Sequence, residues 1–175
     1  MTTVFPDPSE VETDLKNALV DVRRAVRALG SAAAAVQLPV SPQMAAGVQA
    51  TENAWREMEQ EFGLLTGAEA ARKAGSTARN LAGFANDRRT AGKLLGVRRR
   101  NAFVYPGFQF DQRGHVYPVV PRLIAEASRL GVDNESLAQW FCIATASLDG
   151  ARPVDRADDE ELLVRAFASR FGVEW

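Results

Sequence analysis

The stretch Leu64–Phe110, LLTGAEAARKAGSTARNLAGFANDRRTAGKLLGVRRRNAFVYPGFQF, decides how this chain is read. Thr66 stands before Gly67 with Glu69 three residues on, the capping-box spacing in which hydroxyl and carboxylate satisfy each other's backbone N–H groups. Ala68, Ala70, Ala71 and Ala74 then offer small side chains that let a second helix cross closely. Gly75 supplies a turn, and Ser76 or Thr77 caps a following helix over residues 78–88 with Leu81 and Phe84 toward the core. After Thr90, Ala91 and Gly92 the period changes: Leu95 and Val97 precede a polar RRRN tip, and Phe103 and Tyr105 follow it. That alternation predicts a β-hairpin. The segment therefore reads as a helix-turn-helix with a basic wing, leaving through the rigid aromatic run YPGFQFD at 105–111, which is expected to act as a hinge that packs the wing onto whatever follows.

Charge sharpens this reading. Between Arg72 and Arg100 nine basic residues face one acid, Asp87, a local charge of +8 in a chain whose total is −1. Such asymmetry is the footprint of a face that holds phosphates. In a helix-turn-helix the start of the second helix enters a major groove, so Ser76, Thr77, Arg79 and Asn80 are the candidates for base edges. Arg88, Arg89, Lys93, Arg98, Arg99 and Arg100 are the candidates for phosphates, and six such contacts would give a log–log salt slope of about −5. Three arginines at one tip repel each other unless a polyanion neutralises them.

Other chemistries find few residues to work with. One cysteine, Cys142, leaves no internal disulfide and no thiolate zinc site, and one histidine, His115, leaves no histidine metal cluster. Neither has a recognisable activating neighbour, so no enzyme and no cofactor are expected. The amino terminus carries acids and prolines in place of a secretory pattern, and no run of ~18 apolar residues occurs, which predicts a cytoplasmic protein without a membrane partner.

Outward from the basic segment the chain is helical. Ser9, with Glu12 behind it, caps a helix to Leu29 whose stripe of Val11, Leu15, Leu19, Val22, Val26 and Leu29 suits packing within the chain or a homodimer seam. A second helix is expected over 44–62 with Val48, Trp55, Met58 and Phe62 inward. Beyond the wing, residues 116–175 hold six basic and ten acidic residues. Helices are expected from Pro121 to Leu130, from Asn134 through Leu137, Trp140 and Phe141, and from Asp158 through Phe167. The expected fold is mainly α, with an N-terminal helical region at 1–62, a winged helix-turn-helix at 63–111 and a helical module at 112–175.

The runs LLGVRRRNAFVYPGFQFD, HVYPVVPRLIAEA, LAQWF and LDGARPVD, in that order, resemble the Xre/MbcA/ParS type of antitoxin, in which a toxin-binding domain follows a DNA-binding part. The resemblance covers residues 63–175 and leaves the first sixty unexplained. It implies an antitoxin of a bacterial type II pair that neutralises a RES-type, NAD-consuming toxin and represses its own operon at operator DNA. It further implies that Trp140, Asp149, Arg152, Pro153, Glu174 and Trp175 meet the toxin. A stand-alone winged helix-turn-helix regulator without a toxin partner is the alternative.

Overall fold

The computed structural model describes residues 42–172, and the helix expected from Ser9 to Leu29 lies outside them. The fold is mainly α with a small antiparallel sheet. Helix α1 (Pro42–Phe62) leads into strand β1 (Leu64–Leu65), then α2 (Gly67–Lys73) and α3 (Leu81–Thr90). Strands β2 (Val97–Arg99) and β3 (Ala102–Pro106) form the hairpin, followed by a 3-10 turn at Gly107–Gln109. Helices α4 (Val119–Arg129), α5 (Asn134–Cys142) and α6 (Glu160–Phe171) complete the described chain.

Local signals set most of these boundaries. At the start of α2, Thr66 Oγ1 accepts from the Glu69 N–H, and the Glu69 carboxylate accepts from the Thr66 N–H at 2.7 Å, the reciprocal cap read from the sequence. The turn departs from expectation. Gly75 takes φ +71, Ser76 Oγ accepts from the Ala78 N–H, and α3 starts only at Leu81, where Asn80 Oδ1 accepts from the Gly83 N–H at 2.9 Å. Asn80 takes the cap, while the Ser76 hydroxyl is used within the turn, so neither Ser76 nor Thr77 fills that role. The cap side chain lies over residue 83, where an added Cβ would sit 2.5 Å from Asn80 Nδ2, which is why glycine occupies that position. Asn80→Ala is expected to lower unfolding free energy by about 1 kcal/mol in urea titrations, with Asn80→Ser retaining most of it.

The acidic caps differ similarly from the sequence reading. Asp133, not Asn134, caps α5, and Asp159 caps α6. Helix α4 begins at Val119, two residues before Pro121, whose missing N–H falls among the first-turn groups that have no intrahelical partner.

The sheet order is β1-β3-β2, with Leu64 opposite Pro106, Leu65 opposite Tyr105, and Val97 opposite Val104. The wing is thus three-stranded and its central strand ends at Pro106. Its tip is the two-residue turn Arg100–Asn101, with Arg100 at φ +53.

No break in packing marks the boundary expected at 111: the described residues from 47 to 172 belong to one compact unit. A single core gathers Trp55 and Met58 of α1, Leu95 and Val97 of the wing, Phe108, and Val119, Leu123, Leu137, Trp140, Phe141 and Phe167 of the later helices. YPGFQFD is accordingly no hinge. Phe108 is buried against Phe62 and Phe141 at ring distances of 5.7 and 4.9 Å, and Gly107 packs so closely on α1 that an added Cβ would run into the Phe62 carbonyl. A second cluster of Ala70, Ala71, Ala85, Leu94, Tyr105 and Phe110 fixes α2 and α3 beside the sheet. All three alanines are fully buried, so the helix pair crosses closely, as its small side chains predict. Among the described residues no helix is long and apolar enough to cross a membrane.

Candidate nucleic-acid interface

Helix α3 buries Ala85 and half-buries Leu81 and Phe84, which leaves Ala82, Asn86 and Thr90, spaced i, i+4, i+8, on its solvent side. The first is small, and the other two carry amide and hydroxyl groups. A face of this kind lets a partner approach the helix closely and offers hydrogen bonds at its middle and far end. Arg79 stands exposed just before the cap. Asn86 did not figure among the sequence candidates; its i, i+4 spacing from Ala82 is the signal that would have found it.

Strand alternation then sorts the three wing arginines. Arg98 pairs with Phe103 across the hairpin, so both side chains lie on one face of the sheet, while Arg99 points to the other. The Phe103 face turns to α3. There the Arg89 guanidinium lies 3.9 Å from the Phe103 ring centroid and donates to Asn86 Oδ1 at 2.9 Å. The opposite face turns to α1, where Arg99 Nη2 donates to both oxygens of Glu52 at 3.0 Å and the guanidinium stacks 4.8 Å from the Trp55 ring. One arginine therefore ties α3 to the wing, and another ties the wing to α1. Phe103 remains 39 % exposed between them.

This geometry separates the ten residues singled out in the sequence. Arg89 and Arg99 are engaged in fixing the wing. Arg88 stacks on Phe84 at 5.0 Å, on the side of α3 away from Asn86, and Lys93 lines the same cleft as Arg88. Asn80 and Ser76 use their side-chain oxygens on the backbone of the turn, and Thr77 is exposed there. Arg79, Arg98 and Arg100 stay exposed and have no carboxylate partner among the described residues. Arg79 precedes the α3 cap, Arg98 shares the Phe103 face of the wing and Arg100 stands at the hairpin tip.

The described C-terminal candidates do not assemble into a surface. Trp140 and Pro153 are buried, Trp140 against Phe141 and Phe167. Arg152 donates to both oxygens of Glu61 at 2.8 Å and to both of Asp155 at 2.9 Å, and its guanidinium holds both carboxyls below their usual range. Asp149 is exposed in a left-handed turn at φ +54. Glu174 and Trp175 lie outside the described residues. Burial pushes the Cys142 thiol up to about 12, so it stays protonated at neutral pH, and His115 stands on an exposed loop 3.5 Å from Asp111.

No family model and no curated protein matches the chain. Among solved structures it is similar to the NMR structure of Rv2175c, with a TM-score of 0.54 and 21 % sequence identity over 63 % of this chain and 82 % of that one. At that identity the likeness concerns the fold.

Proposed function

We propose that this chain is a DNA-binding regulator that sets α3 against a major groove and the β2–β3 wing along the neighbouring backbone. The observation that carries the reading is the division of labour among the arginines. Arg89 and Arg99 hold the wing at a fixed position beside α3, while Arg79, Arg98 and Arg100 project without acidic partners. Preorganised cations around a small-residue helix face suit a polyanion whose charges are regularly spaced. In this reading Asn86 and Thr90 are the side chains that reach base edges, and Arg98 and Arg100 contact phosphates from the wing.

Fluorescence anisotropy on a labelled duplex over a salt series tests this. Three phosphate contacts give a slope of log affinity against log salt of about −3, against about −5 for the six counted from the sequence. A flat dependence, or a slope unchanged in Arg79→Ala, would overturn the assignment. Toxin neutralisation through the C-terminal segment gains no support from the described geometry: two of its residues are core and a third is held by Glu61 and Asp155.

A further inference from the structure

On the side of α3 away from Asn86 a cleft of about 480 Å³ opens between that helix, the loop after it and the 114–116 loop. Its size lies within the range of small-molecule sites, roughly 300 to 1,000 Å³. Phe84, Leu94 and Val116 line its apolar side. Arg88, Lys93 and His115 stand at the same cleft, and no acid lines it. Asp111 is the nearby carboxylate, 3.5 Å from His115 Nδ1, and it also accepts from the Arg113 and His115 N–H groups at 2.8 Å. Arg88 and Lys93 have no carboxylate partner among the described residues. Basic side chains and apolar side chains lining one cleft suit a ligand with one anionic group and one flat apolar body.

We propose that this cleft binds a small organic anion with a ring-sized apolar body, an aromatic carboxylate in class, its acid group at Arg88, Lys93 and His115 and its ring against Phe84, Leu94 and Val116. The site is separate from the proposed DNA face and does not depend on it. The recognising chemistry has two parts, and each can be removed by itself.

The experiment is a titration of the ¹⁵N-labelled full chain with 2-naphthoate, followed by amide chemical shifts. Shifts are expected at Lys93, Leu94, His115 and Val116. The neutral 2-naphthamide, which keeps the ring and loses the charge, should bind at least tenfold more weakly, and inorganic phosphate, which keeps a charge and loses the ring, should not displace naphthoate. Lys93→Glu should weaken naphthoate at least tenfold, with circular dichroism reporting that the variant is folded; the two ligand comparisons need no variant at all. Equal binding of acid and amide, displacement by phosphate, shifts scattered away from the cleft, or no shifts at millimolar naphthoate would each overturn the proposal.

Discussion

Gln109→Leu should lower the unfolding free energy by roughly 3–5 kcal/mol, because one buried side chain serves three backbone groups that have no water to turn to. Gln109 is fully buried; its Oε1 accepts from the Leu95 N–H at 2.8 Å, and its Nε2 donates to the carbonyls of Leu95 and Pro106 at 2.9 Å. Leucine fills similar space and satisfies none of them. Each orphaned buried group costs about 1–3 kcal/mol, and partial relaxation of the loop keeps the total below the simple sum. Urea unfolding followed by tryptophan fluorescence measures it, with the exposed Gln112→Leu as a control expected within about 0.5 kcal/mol of the parent. A loss under 1 kcal/mol for Gln109→Leu would show that the side chain does not brace the wing.

The double change Arg98→Ala and Arg100→Ala should weaken duplex binding by roughly 60-fold at about 0.1 M salt and reduce the salt slope from about −3 to about −1. Each phosphate contact contributes about 0.9 to that slope, which is close to tenfold in affinity between about 1 M and 0.1 M salt. Stability should hardly move, since both side chains are exposed and unpaired. Arg99→Ala makes the informative contrast. Its loss frees Glu52 and uncovers Trp55, so it should act on the setting of the wing and on stability, with a smaller change in slope. Should the double variant bind as the parent does across the salt series, the wing has no part in holding DNA.

The sequence made the local features legible and left the long-range ones hidden. The Thr66–Glu69 cap, the Gly75 turn and the alternation on either side of the tip are fixed by residues within a few positions of each other, and all three occur in the structure. The start of α3 was displaced because Asn80 competes with Ser76 and Thr77 within the same five residues, and propensity alone does not rank the contest. Strand β1 is two residues long and owes its conformation to pairing with β3, forty residues on, so no local pattern announces it. The supposed boundary at 111 came from a change in surface charge, which says nothing of the core that Phe108 and Leu95 share with Val119 and Phe141. Counting arginines likewise gave a charge but not its disposition. Arg99 is engaged by an acid 47 positions away, and Arg89 by a ring that only hairpin formation brings near.

The shared core has a practical bearing on how the chain divides. A fragment ending near Asp111 would carry Leu95, Val97 and Phe108 without the later helices that complete their cover, and one starting there would bare Val119, Leu123 and Phe141. Contiguous apolar surface of that kind drives association in water. A fragment beginning after Leu65 would also strip β3 of its β1 partner and open a strand edge to intermolecular pairing. Proteases meeting the native chain therefore have no internal seam at the wing to exploit, and amides from Leu95 to Phe110 should exchange with solvent together with those of α4 and α5, as one cooperative unit.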